Sequence, residues 1–201
     1  MRGYFITFEG GEGSGKSTQL KLADEYLRSQ GYETVLTKEP RGKIREILLS
    51  PESQLTPLAE VFLYYADRTQ HLTEVVMPAL QQGKIVLSDR HNDSTLTYQQ
   101  YGRQLDPGLF AVLTSKLPVM PDLTLLLDIP VDQGLQRTTT IEFGEKDRFE
   151  REALEFHERV RQGYLALAVQ HPKRITIVDA TQPKETVSAS IQKILDALLR
   201  G

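Results

Sequence analysis

The segment that most restricts what this chain can become is Gly10-Gly11-Glu12-Gly13-Ser14-Gly15-Lys16-Ser17-Thr18, a complete G-x-x-x-x-G-K-[ST] loop. Its flanks restrict the fold further. Tyr4 to Glu9 is a short β-prone run, and Leu20, Ala23, Tyr26 and Leu27 recur at helical spacing between Gln19 and Ser29. A strand that feeds a glycine-rich turn and opens into a helix is the context such a loop requires. In that setting, backbone N–H groups turn inward around phosphate oxygens and the helix N-terminus adds partial positive charge. Lys16 suits the outer phosphates and the Ser17 hydroxyl suits Mg²⁺. The loop therefore implies a site for a nucleoside triphosphate.

The rest of the chain alternates between β-like and helical stretches, the pattern of a parallel sheet covered on both faces. Strands are expected at 4–9, 33–37, 84–88, 123–129 and 174–178. Helices are expected at 17–30, about 43–50, 57–82, 106–117, 131–138, 150–170 and 184–200. Gly31, Gly83, Pro121 and Pro172 punctuate these elements where the chain must reverse. The expectation is a three-layer α/β P-loop NTPase fold with five parallel strands, as a single domain over residues 1–201. A net charge of -3 provides no global basic field, so neither nucleic acid nor a membrane surface is expected as a partner. Absence of cysteine excludes disulfides and thiolate chemistry. Met1-Arg2-Gly3-Tyr4 moves straight into a strand without a signal-peptide pattern, and no apolar run is long enough to span a bilayer. A soluble cytoplasmic protein is expected.

Among phosphate-loop proteins, a guanine-specific switch is excluded, because its Asn-Lys-x-Asp motif cannot be built around the single asparagine, Asn92. A dinucleotide fold is excluded as well, since the G-x-G-x-x-G register puts Lys16 at its last glycine. Asp89 and Arg90 leave the carboxyl end of the 84–88 strand, where ligands of open α/β sheets bind. There a carboxylate can orient Mg²⁺ and an arginine fork can grip a phosphate. A surface Asp-Arg pair is the plain alternative, and Ser94 and Thr95 read equally well as N-caps of a following helix. Phe62 and Tyr65 suit a core at helical spacing. Tyr64 and Arg68 lie four residues apart, hence on one helix face, where a ring can stack a base and a guanidinium can meet its carbonyl. A core aromatic beside an exposed arginine fits the same spacing. The histidines (His71, His91, His157 and His171) are scattered without metal-ligand spacing and suit packing or surface roles, with His91 set apart by its place in the Asp-Arg-His signature.

Taken together, these motifs resemble the bacterial thymidylate kinases over nearly the whole length. The resemblance runs through Phe8 to Thr18, Thr37-Lys38-Glu39-Pro40, Ile44 to Leu49, Phe62 to Arg68, Asp89-Arg90-His91 with Ser94-Thr95, and Tyr98-Gln99. It continues through Pro121 to Thr124, Leu127-Asp128, Asp147 to Glu150 and Asp179-Ala180-Thr181. It implies transfer of the ATP γ-phosphate to dTMP, giving dTDP and ADP, with Mg²⁺ as cofactor, in a homodimer formed through helices near 57–82 and 106–117. By the same resemblance, Tyr64 stacks on thymine and Arg68 reads the base carbonyl. Gln99 with Ser94 or Thr95 completes the base edge, Glu12 contacts the sugar 3′-hydroxyl, and Arg90 with Arg45 grips the monophosphate. Asp89 serves the metal, with Ser17, or the acceptor geometry, and Ala180 and Gln182 lie beside the adenine.

No basic residue stands at Glu12, Gly13 or Ser14 inside the loop. The resemblance then implies that arginines come from a lid at about 137–151, with Arg148 foremost, Arg137 and Arg151 beside it and Lys146 a weaker candidate. Developing charge on a transferring phosphoryl group has to be met by something, and such arginines serve that end. Two segments depart from the family pattern: Arg137 runs into Thr138-Thr139-Thr140 instead of further basic residues, and only Arg41-Gly42-Lys43 separates Pro40 from Ile44. Lys38 also stands where the family usually has arginine. A kinase for another nucleoside monophosphate or a deoxynucleoside, and a nucleotide-binding regulator without turnover, are the alternatives that the sequence leaves standing.

Overall fold

The computed structural model describes residues 2–140, 149 and 152–200. Five parallel strands form one sheet in the order β2-β3-β1-β4-β5: β1 Phe5–Glu9, β2 Thr34–Lys38, β3 Ile85–Asp89, β4 Leu123–Asp128 and β5 Ile175–Asp179. Each expected strand is present within a residue or so of its expected ends. The central strand β1 is buried throughout and β3 and β4 are buried up to their last residues, the half-buried Asp89 and Asp128, because helices cover both faces of the sheet. The outer strands β2 and β5 are only partly buried along their length.

Alternation along β1 divides the interior. Ile6 and Phe8 enter a cluster with Leu20 and Leu27 of α1 (Lys16–Ser29) and Ile191 and Leu195 of the C-terminal helix, Lys184–Arg200. Phe5 faces the other way, against Leu72, Val76 and Leu80. On that second face the residues become polar toward the carboxyl end, from Phe5 to Thr7 to Glu9, all buried. The Thr7 hydroxyl meets Thr124 Oγ1 at 2.8 Å, and Thr124 in turn donates to Asp93, which Arg174 also holds. One face of the sheet thus stays apolar to the carboxyl ends, with Phe8, Leu127 and Val178 in its cluster, while the other ends in a buried polar network.

The remaining helices are α2 Gly42–Leu49, α3 Pro57–His71, α4 Met77–Gln81, α5 Asn92–Thr95, α6 Pro107–Thr114, α7 Val131–Thr140, α8 Leu154–Gln170 and α9 Lys184–Arg200. The expected single helix at 57–82 is α3 and α4 joined by a π-helical turn, Leu72–Val76. Helix α6 ends at Thr114 and α8 begins at Leu154, both shorter than the apolar periodicity suggested. The largest difference is at 92–102, where no helix was expected. There α5 runs into a second π-helical segment, Leu96–Gly102. Ser94 and Thr95 sit inside this helix, not at its N-cap, which is His91. The segment buries Asn92, Asp93, Ser94, Thr95 and Gln99, so its sequence carries no apolar stripe at helical spacing. Among the described residues no helix is long and apolar enough to cross a membrane.

Candidate active site

The carboxyl ends of the strands converge on a cavity of about 440 Å³. Glu12 to Thr18 line one part of it, and Arg45, Tyr64, Arg68, Asp89, Arg90, Ser94, Thr95 and Gln99 line the rest. Nearly all the residues expected to meet nucleotide and acceptor therefore face one space. Gly10 and Gly11, which open the loop, do not line this cavity; their carbonyls accept from Lys16 Nζ at 3.1 and 2.8 Å. Ala180 and Gln182 do not line this cavity; they follow β5, where Asp179 caps the turn through the Thr181 N–H and Gln182 Nε2.

The loop is held by its own backbone. Gly13 has a φ of +66°, and a Cβ there would sit 2.0 Å from the Gly134 carbonyl oxygen. A Cβ on Gly134 would in turn meet the Glu12 carbonyl at 2.4 Å, so the loop and α7 are glycine against glycine. Burial, with the charge of Arg90 adding to it, lowers the pKa of Lys16, while Glu12 and Asp89 pull it back up. Ser17 Oγ donates to Asp89 Oδ2 at 2.7 Å, which brings the two expected metal ligands together. One hydroxyl and one carboxylate beside a phosphate cradle suit Mg²⁺, which takes one or two carboxylates and completes its shell with phosphate oxygens and water.

Arg90 adopts a left-handed backbone conformation, φ +73°, at the end of β3. Its Nη2 donates to Glu12 Oε1 at 2.9 Å and to Tyr98 Oη at 3.2 Å, and its guanidinium lies 4.9 Å from the centre of the Tyr98 ring. Burial alone would raise the Glu12 pKa, yet Arg90, Lys16 and the Tyr98 hydroxyl outweigh it and hold the carboxyl at about 2. Glu12 thus stays ionised and keeps Arg90 directed at the loop.

Behind Arg90 lies Glu9, at the end of β1 and fully buried. It accepts from the His91 N–H at 2.7 Å, from Ser94 Oγ at 2.5 Å and from Tyr164 Oη at 3.0 Å. Burial, then the neighbouring Asp93 charge, raises its pKa to about 7.

At the other side of the cavity, Arg68 is 1% exposed, which removes the reading of an exposed arginine. Phe62, expected in the core, is 52% exposed, whereas Tyr65 is buried. Arg68 Nε donates to Glu39 Oε2 at 2.8 Å, and its Nη2 donates to Thr95 Oγ1 at 3.0 Å. The other oxygen of Glu39 lies 2.8 Å from His71 Nδ1 and 3.1 Å from His91 Nδ1. Burial works against the Glu39 charge, but Arg68 and the two histidines overcome it and hold the carboxyl well below its ordinary range. Burial lowers the pKa of His91, and a neutral ring still donates from Nδ1.

Glu9, Glu39, Glu60 and Tyr164 carry no motif that marks them as part of a site, and the scattered placing of His71 suits packing or a surface role. One signal was present: Glu60, Tyr64, Arg68 and His71 recur every three or four residues and share a stripe of α3. Among the lid candidates, Arg137 Nη1 donates to the Ala180 carbonyl at 3.0 Å, so it is tied to the loop after β5. Lys146, Arg148 and Arg151 lie outside the described residues.

Known proteins are similar to this chain over almost its whole length. A family model described as thymidylate kinase matches residues 8–191. The chain is 46% identical to the thymidylate kinase of Desulfovibrio desulfuricans, covering 98% of this chain and 96% of that protein. It is also 46% identical to the thymidylate kinase of Geobacter sulfurreducens, with 96% of each covered. The crystal structure of thymidylate kinase from Ehrlichia chaffeensis superposes with a TM-score of 0.79 at 33% identity, covering 97% of this chain and 100% of that one.

Proposed function

The chain belongs to the thymidylate kinase family, phosphotransferases that act on dTMP with ATP as the general donor, and we propose that the cavity described above is where its transfer takes place. The observation that carries this reading is that the phosphate loop, Arg90 and the Tyr64–Arg68–Gln99 group line a single space. In this reading Gly10 to Thr18 hold the ATP phosphates, and Lys16 leaves the loop carbonyls to meet the outer ones. Arg90 and Arg45 grip the dTMP phosphate. Glu12 uses Oε1 for Arg90 and Tyr98, and Oε2 is the atom we assign to the sugar 3′-hydroxyl. Tyr64 stacks on the base, while Arg68, Gln99, Ser94 and Thr95 meet its edge. Ala180 and Gln182 border the adenine, and Arg148 is the foremost lid arginine. Ser17 and Asp89 would hold Mg²⁺, which supplies charge neutralisation between the phosphates.

The acceptor is a phosphate oxygen, already ionised at neutral pH, so positioning and charge suffice without a strong general base. We further read residues 1–201 as one kinase domain working in the cytoplasm, where ATP and dTMP are its partners, with no nucleic acid or membrane required. A homodimer through α3 and α6 is supported by Leu58, Phe62 and Val112, apolar and 47%, 52% and 60% exposed. Phe62→Glu should convert a dimer to a monomer in light scattering.

The deciding experiment is ADP release from ATP and Mg²⁺ with each nucleoside monophosphate and thymidine in turn, with dTDP identified by chromatography. Turnover is expected with dTMP as the preferred acceptor. A folded, ATP-binding protein silent with every acceptor would instead be a nucleotide-binding regulator.

A further inference from the structure

Glu60 and Gln99 face each other across α3 and the π-helical segment, both buried, at 1% and 0% exposure. Gln99 Nε2 donates to Glu60 Oε2 at 3.2 Å, and the other Glu60 oxygen lies 3.5 Å from Arg103 Nη2. Arg103 is itself fixed, by Glu152 at 2.5 Å and by the Phe156 ring, 4.9 Å from its guanidinium carbon. The carbonyl oxygen of Gln99 is buried and has no hydrogen-bond partner among the described residues, although Gln99 lines the cavity.

A carboxylate accepts hydrogen bonds and cannot donate them, whereas a primary amide presents an oxygen on one side and an NH₂ group of nearly the same size on the other. Sterics alone would let the Gln99 amide sit either way round. We propose that Glu60 is a specificity-determining positioning residue: by taking the Gln99 NH₂ group, it leaves the Gln99 carbonyl as the acceptor offered to the nucleobase. This inference rests on the base-reading role given above to Arg68 and Gln99.

The consequence is a two-letter code at the cavity wall, a donor from Arg68 and an acceptor from Gln99. Thymine presents the matching pair, a carbonyl O4 and an N3–H. Cytosine presents the reverse, an amino group and a bare N3 lone pair. A misoriented Gln99 would place N–H against the N3–H of thymine, so control of the amide is control of pyrimidine choice.

The test compares kcat and KM for dTMP and dCMP, at saturating ATP, in the wild type, Glu60→Gln, Gln99→Ala, Arg68→Ala and the exchanged double variant Glu60→Gln with Gln99→Glu. An amide at position 60 both donates and accepts, so it no longer dictates the orientation of Gln99. Glu60→Gln should raise the KM for dTMP and compress the dTMP-to-dCMP ratio of kcat/KM by roughly tenfold or more, with the KM for ATP within about twofold. In the double variant, the amide now at position 60 donates to the carboxylate now at position 99, whose second oxygen restores the acceptor, so the ratio should return toward the wild-type value. An unchanged ratio in folded Glu60→Gln, or a double variant no more selective than Glu60→Gln, would overturn the proposal. So would failure of both to fold, since Glu60 would then serve the fold alone. If Gln99→Ala and Arg68→Ala leave the KM for dTMP unchanged, the base-reading assignment itself falls, whatever Glu60 does.

Discussion

The two sides of the cavity are held in different ways. The phosphate side is one continuous segment, residues 10–18, shaped by glycine backbone and closed by its own lysine. The base side is built from Glu39, from the α3 residues Glu60 to His71, and from Asn92 to Gln99, joined by buried carboxylates with arginine, histidine and amide partners. Phosphate binds any suitably curved backbone with a positive end, so that side depends on local conformation. Choosing a planar base depends on donors and acceptors fixed in direction, and here they are fixed from behind by packed helices.

The base side should therefore break first in stability and the phosphate side first in rate. Glu39→Ala leaves Arg68 buried without its carboxylate, which should cost about 3–5 kcal/mol. Urea unfolding would show it as a lower midpoint at unchanged slope. Lys16→Ala should instead leave the midpoint close to wild type while lowering kcat by roughly 10²–10³, as read in single-turnover transfer.

A third variant separates the two sides through pH. Glu9 has its pKa raised from 4.5 to about 7. Such a carboxyl holds its proton more tightly in the folded protein than in the unfolded chain. The native state therefore loses stability as pH rises from about 4.5 through about 7, by up to roughly 3 kcal/mol. Glu9→Gln should flatten that part of a stability-against-pH series. Glu12 acts with the opposite sign: its pKa of about 2 contributes stability that is present above its ordinary range and lost as pH falls toward that value. The smallest effect is expected at the N-cap of α3, where Thr56 Oγ1 accepts from the Ala59 N–H at 3.3 Å. Thr56→Ala should cost about 1 kcal/mol and leave the choice between dTMP and dCMP unaltered. It shows whether general loosening of α3 can mimic the loss of Glu60.

What could be read from the sequence was what repeats or stays contiguous. The loop at 10–18 carries its chemistry within nine neighbouring residues, and the five strands and most helices announce themselves by periodicity and by glycine and proline at their ends. Tyr64 and Arg68 were legible as one face because helical geometry relates positions four apart. The tertiary structure alone decided that Arg68 is buried against Glu39, that His71 and His91 share the same carboxylate, and that Glu60 meets Gln99 across 39 residues of sequence. It also decided that 92–102 is helical. The reason is common to all of these. A buried polar group is stable only with its partner, that partner lies on another element, and no periodicity within one segment records which it is.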